Sequence, residues 1–299
     1  MKIFRKLLPL ATAAGLLFAA SAAQADVITP FTIKDGTNVL ATNVNSLDWA
    51  ETGSGLARGI GPFGSPLSVG TNFQFLYQAT MAVKAGGTGS PSMGGRLDGE
   101  ANGVADGGPN GFEFTIAAKM TEVVTSVVGN TANFQLGGTQ ATNKVAIYFD
   151  TAQNANTATG TGFDDGIMVA LLTIDTNTSV FSLLAANNGQ GSARLHAGIL
   201  AAGDFINPAY LDGVTKLLFG IDFQSSLNYP ADTSTTTGFH RNGSSNNGDP
   251  FDTVNVDLQN DILFKVDGSN RFTRVPEPGT MVLMGLGLLG LAGLRRRKA

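Results

Sequence analysis

From residue 112 apolar and polar side chains alternate, Phe112-Glu113-Phe114-Thr115-Ile116, which puts Phe112, Phe114 and Ile116 on one face of an extended strand. Similar short runs recur at 31–34, 73–83, 121–128, 132–136, 144–149, 167–174, 180–184, 217–223, 253–258 and 262–266, and the first extends to 119. Turn formers separate them: Gly129-Asn130, Gly137-Gly138, the polar run Asp175-Thr176-Asn177-Thr178-Ser179, and Asp267-Gly268. No long helical period interrupts this text. The pattern predicts an all-β body, an antiparallel β-sandwich or jelly roll. Residues 85–110 and 231–250 are too polar and glycine-rich to bury enough apolar area, and are expected to be long surface loops.

Two continuous apolar runs break the pattern, one near each end. At the first, Lys2, Arg5 and Lys6 precede an apolar stretch at 7–20 and the small-x-small site Ala23-Gln24-Ala25. This is the layout of a secretory signal helix over 1–25, removed by signal peptidase so that the mature chain begins at Asp26. At the second, Pro276-Glu277-Pro278 is followed by an uncharged run at 279–294 and then by Arg295, Arg296, Arg297 and Lys298. Its sixteen residues cover roughly 24 Å as a helix, just short of a hydrocarbon core of ~30 Å, so the turn and the cations must sit at the two interfaces. The reading is a single transmembrane helix whose basic anchor stays cytoplasmic, with everything before Pro276 on the far side. The prolines keep the backbone around Glu277 extended and open to a processing enzyme. The chain divides into a signal at 1–25, a body at 26–274 and a tail at 275–299.

The tail, with its Pro-Glu-Pro turn, apolar span and arginine cluster in order, resembles the PEP-CTERM sorting signal of exported Gram-negative bacterial proteins. The resemblance implies recognition by exosortase, a membrane cysteine protease, with cleavage near Pro276-Glu277-Pro278 and release or transfer to the cell surface. Residues 111–174 are similar to the central part of flocculation-associated PEP-CTERM proteins. The carrying pieces are Thr121-Glu122-Val123-Val124, Ile147-Tyr148-Phe149-Asp150 and Gly162-Phe163-Asp164-Asp165-Gly166. That similarity implies a secreted matrix protein holding cells together in an exopolysaccharide floc or biofilm, and not a catalyst.

Composition narrows the partners. Seven of the 19 basic residues lie in the two terminal signals, while all 23 acidic ones lie between Asp26 and Glu277, so the stretch from Asp26 to Glu277 carries 12 positive against 23 negative charges, a net −11. Such a surface repels nucleic acid and anionic lipid. With no cysteine in an exported chain, stability must come from a core, and thiol nucleophiles, thiolate metal sites and iron-sulfur clusters are excluded.

Candidate chemistry is sparse. His196 and His240 are the only histidines and stand in no metal-ligand spacing. Neither a Gly-x-Ser-x-Gly elbow nor a phosphate-binding loop is present, and the dinucleotide-like Gly285-Leu286-Gly287-Leu288-Leu289-Gly290 falls in the apolar tail without a preceding strand. Asp164 and Asp165, in a glycine-flanked turn, would supply oxygen ligands for calcium together with Asp150 if that turn folds back over the strand end. Asp249 and Asp252 are a second acidic pair. A glycosidase would need two facing carboxylates, and Glu113 and Glu122 are expected on exposed strand faces. Trp49 with Tyr77, Tyr148, Tyr210 and Tyr229 would serve sugar stacking or, more simply, core packing. The sequence therefore points to an exported protein without enzymatic activity, no required cofactor, and exosortase and extracellular polysaccharide as partners. The alternative is a carbohydrate-binding module or polysaccharide-acting enzyme.

Overall fold

A computed structural model describes residues 27–28, 30–61, 66–85, 112–139, 142–157, 159–185, 188–214, 216–223, 238–239, 251, 254–257 and 259–274. The expected signal helix, the expected transmembrane helix, the loop at 86–110 and nearly all of 231–250 lie outside these residues. The strands are β1 (Val27–Ile28), β2 (Phe31–Lys34), β3 (Val39–Val44), β4 (Ser46–Arg58), β5 (Asn72–Ala85), β6 (Glu113–Val128), β7 (Thr131–Gly137) and β8 (Lys144–Asp150). They continue with β9 (Ile167–Ala185), β10 (Asn188–Gly198), β11 (Phe205–Ile206), β12 (Leu211–Asp212), β13 (Lys216–Phe223), β14 (Gly238–Phe239), β15 (Val254–Asn255) and β16 (Ile262–Arg274).

All-β character follows the alternation, but the pairing differs from a sandwich or jelly roll. Neighbours run β4-β5-β6-β7-β9-β10-β13-β16, and β16 then pairs with β4, from Ile262 opposite Ala57 to Arg271 opposite Ser46. Each of these pairs is antiparallel. β7 and β8 lie end to end between β6 and β9: β8 takes residues 113–119 of β6 and β7 takes 121–128. The sheet is therefore an up-and-down barrel of eight positions, with no free edge at the β16–β4 seam. Inside/outside alternation is the same text for a strand in a sandwich and in a barrel, so the runs alone did not separate the two.

Several turns expected from composition are strand interior. The run at 175–179 lies within the 19 residues of β9, at a register shift where Asp175 is an extra residue, and Asp267-Gly268 lies within β16, opposite a register shift where the surplus residues belong to β4. A bulge lets polar or glycine residues stay inside a long strand, which imitates a turn in sequence. Gly129-Asn130 is a true two-residue hairpin loop between β6 and β7, with Gly129 at φ 58°, a left-handed conformation that glycine adopts without strain. Of the expected strand at 253–258, residues 254–255 form β15 and 256–257 are not strand, while β3, β4 and β10, with weaker alternation, were not expected.

The inward face of β5 carries Phe73, Phe75, Tyr77, Ala79 and Met81, and that of β6 carries Phe114, Ile116, Ala118 and Met120. Trp49, 1% exposed, belongs to the same core, and so do Phe31, Ile33, Ala41, Val44 and Leu211 of the small sheet β12-β2-β3. That sheet meets the barrel where β6 begins and β8 ends, with the Phe149 and Tyr210 rings 5.1 Å apart and Phe112 stacked on Phe149 at 5.5 Å. One end of the barrel is thus filled. On the outside, Val256 covers Leu56, Leu76 and Leu263, and Phe251 covers Ala117, Ala146 and Tyr148. An apolar inside with mixed outer strands is the reverse of a membrane-spanning porin. Among the described residues no helix is long and apolar enough to cross a membrane.

Candidate functional site

The opposite end of the barrel holds a cavity of about 320 Å³. It is built from the end of β4 (Ala57), the start of β5 (Phe73, Phe75), the β6–β7 hairpin, the second half of β9 and the start of β16 (Ile262, Phe264). Phe73 and Phe134 meet edge to face at 5.4 Å, and Phe75 and Phe264 lie 5.8 Å apart. The walls are mainly apolar.

Glu122 breaks that apolar lining. Counting by twos from Phe114 along β6 passes Ile116, Ala118 and Met120 and arrives at Glu122, so the strand period turns this carboxyl inward. It is 4% exposed, with Phe73 directly opposite on β5 and Leu136 opposite on β7. The expectation of an exposed Glu122 is corrected: treating 112–119 and 121–128 as separate strands loses the count that an unbroken β6 keeps.

Its partners come from the run that looked like a turn. Ile174 pairs with Ala197 and Thr176 with His196, so Asp175 is the extra residue of a bulge. Leu172 and Ile174 face the core before the bulge; Asn177, Ser179 and Phe181 take over after it, one position out of phase. Asn177 Nδ2 and Ser179 Oγ each donate to Glu122 Oε1 at 2.5 Å. Both bonds end on Oε1, so neither engages Oε2, and Glu122 is part of the cavity lining. Burial drives the Glu122 pKa up to about 7 and outweighs the opposing pull of Ser179 and Asn177. Near neutral pH this group exchanges its proton inside a mostly apolar chamber.

Val127, which lines the cavity, is 38% exposed. Val128, next to it in sequence, and Val69, ahead of β5, are 74% and 66% exposed. Gly70 N donates to Val124 O at 2.8 Å and Val124 N to Thr71 O at 2.9 Å, which fixes the segment carrying Val69 beside β6.

The other sequence candidates are dispersed. Glu113, also expected to be exposed, is 3% exposed and accepts the backbone amides of Asn154 and Ala155 at 2.9 and 3.0 Å, pinning the loop after β8. Nine positions from Glu122 on an unbroken strand, it faces the other side of the sheet. Asp150 and Asp165 come together: burial first, then the neighbouring charge and hydrogen bond of Asp165, raise the Asp150 pKa. Asp164 is fully buried. Among the described residues no group of three or more His, Asp or Glu side chains is placed to hold a metal ion. His196 is half-buried on β10, opposite Thr176 and Leu218. His240, Tyr229, Asp249 and Asp252 lie outside the described residues.

An ion pair missed in the sequence closes the β8–β9 side. Lys144 Nζ donates to Thr173 Oγ1 and to Asp204 Oδ1, both at 2.6 Å. Asp204 also accepts Thr173 Oγ1 at 2.6 Å and the amides of Leu200 and Ala201 at 3.0 and 2.8 Å. Burial would raise the Asp204 pKa, but the bonds from Lys144, Thr173, Ala201 and Leu200 more than offset it and hold it below the usual carboxylate range. This is a structural lock: the carboxylate's acceptors are fully engaged.

Beyond Arg274 the sequence alone speaks, and there a family model matches. Residues 274–298 fit the PEP-CTERM protein-sorting motif. The chain carries an exosortase sorting signal. That PEP-CTERM signal makes it an exported protein, processed by exosortase, with a membrane-anchoring sorting segment at its C-terminus. Pro276, Glu277 and Pro278, and likewise Arg295, Arg296, Arg297 and Lys298, fall inside the matched residues. No curated protein and no solved structure matches the chain.

Proposed function

We propose that this PEP-CTERM protein is a non-enzymatic component of the extracellular matrix, released or transferred to the cell surface after cleavage at both ends and associated with exopolysaccharide in flocs or biofilms. The observation that carries the reading is the sorting motif at 274–298. Signal peptidase acts after Ala25, exosortase near Pro276-Glu277-Pro278, and the transmembrane segment holds the chain in the inner membrane between the two cuts. Similarity of 111–174 to flocculation-associated PEP-CTERM proteins and the net −11 between Asp26 and Glu277 favour a matrix role over nucleic-acid binding.

Two placements weigh against a carbohydrate-binding module or polysaccharide-acting enzyme. Trp49 is sealed in the core and offers no sugar platform. Glu113 and Glu122 stand on opposite faces of β6, so they do not flank one glycosidic bond. The deciding experiment deletes the gene and follows settling and floc size beside the parent and a complemented strain. Loss of flocculation restored by complementation supports the proposal; a deletion strain that settles like its parent removes it.

A further inference from the structure

A matrix scaffold needs a stable body, yet this one keeps an apolar chamber at one end of its barrel. The opposite end is packed with aromatic rings. Strand β9 carries a bulge at Asp175 whose effect is to turn Asn177 and Ser179 onto a single carboxyl. Stability alone does not account for this, because an apolar side chain at 122 would fill the space at lower desolvation cost.

From these features we infer that the barrel is a carrier for a small lipophilic molecule with one hydroxyl head group, its tail among Phe73, Phe134, Phe181 and Phe264 and its head on Glu122 Oε2. The volume, about 320 Å³, falls in the range of small-molecule sites, and Glu122 is the only ionisable side chain among the described residues that line it. A sugar would leave most of its hydroxyls unpaired against phenylalanine walls. A plain hydrocarbon would leave Oε2 unpaired. One hydroxyl satisfies the site in either protonation state, because it accepts a hydrogen bond from the neutral acid and donates one to the carboxylate. Asn177 and Ser179 fix the carboxyl by occupying Oε1, so the head group meets a pre-set Oε2. Val127, 38% exposed and part of the lining, gives the tail an apolar contact at the mouth.

The test uses the full secreted protein, titrated with the neutral fluorophore N-phenylnaphthylamine and then with decanol or decane as competitors. Saturable fluorophore binding is expected, with decanol displacing it about tenfold better than decane, the worth of one good buried hydrogen bond. In Glu122→Leu that preference falls to near parity while fluorophore binding persists. Ala132→Trp, which fills the chamber from β7, abolishes binding; in case the bulky variant fails to fold, Val127→Asp at the rim serves as a second block, with retained β-sheet circular dichroism required of both. The carrier inference is overturned if folded wild-type protein shows no saturable binding, or if both rim and interior variants bind like wild type. The assignment of the head group is overturned if decane competes as well as decanol in the wild-type protein.

Discussion

Ser179 of β9 donates its hydroxyl to Glu122 of β6 at 2.5 Å, across the span that β7 fills between them. The contact joins residues 57 apart in sequence, and with Asn177 it is what holds a carboxyl inside the barrel mouth.

That carboxyl links folding to pH. The ordinary Glu value of 4.5 describes the unfolded chain, whereas burial lifts Glu122 to about 7 in the folded one. Below 4.5 both states hold the proton and the group costs nothing. Between 4.5 and 7 the folded state holds a proton that the unfolded state has released, so stability falls as pH rises, by about 3 kcal/mol in all, and is level above the window. Glu122→Gln keeps the shape and an acceptor for Ser179 without the ionisation. Urea midpoints measured from pH 4 to 8 should show this slope as the difference between wild type and variant, the variant being the more stable at the alkaline end. An identical pH profile for both proteins would mean that Glu122 is not the titrating group.

Asp204 has the opposite sign. Its folded pKa is depressed, so the stability it supplies is present above the unfolded carboxylate value and is lost as pH falls through the folded one. Asp204→Ala leaves the Lys144 ammonium, 11% exposed in its side chain, without its 2.6 Å partner. A loss of about 3–5 kcal/mol is expected, read from the denaturation midpoint. Replacing both together, Lys144→Met with Asp204→Leu, should recover much of it, because the main penalty of the single change is an uncompensated buried charge.

Gly55 sits where β4 passes under β16. A Cβ there would come 2.6 Å from Phe264 Cε2 and closer still to Val266 Cγ2, both on the inward side of β16. Gly55→Ala should therefore destabilise the β16–β4 seam by about 1–3 kcal/mol, the usual penalty for overpacking. Adding Phe264→Leu should return part of the loss, which thermal melts of the single and double variants would show. An unchanged melting temperature in Gly55→Ala would mean that the seam yields without strain.

How much of this was legible beforehand depends on the kind of signal. Alternation at Phe112, Phe114 and Ile116 states a strand and its inward face, and carried through Met120 it also states that Glu122 points in. The barrel's closure was not legible, because whether Ile262 to Arg271 pair with β4 or with another sheet is set by twist and by long-range register, which leave no local pattern. Asn177 and Ser179 were hidden for a different reason. Their polarity answers a buried carboxyl elsewhere in the chain, while the bulge at Asp175 shifts their phase, so in isolation they read as a turn. The tail was the reverse case: its meaning lies in linear order, and Pro276-Glu277-Pro278, the apolar run and the arginines needed no fold to be recognised.

That order also makes the sorting claim separable in experiment. The apolar run at 279–294 is marginal in length for a bilayer, so its placement leans on the cations behind it and the proline turn before it. Replacing Arg295, Arg296 and Arg297 with glutamine should weaken the cytoplasmic anchor and leave uncleaved precursor in the membrane fraction. Replacing Pro276 and Pro278 with alanine removes the two residues that disfavour helix around Glu277 and should block cleavage. Mass spectrometry of the secreted wild-type protein should find a chain that starts at Asp26 and ends near the Pro-Glu-Pro turn. An intact C-terminus reaching Ala299 in the medium would contradict processing, and normal secretion of the proline variant would mean that exosortase reads something other than Pro276 and Pro278.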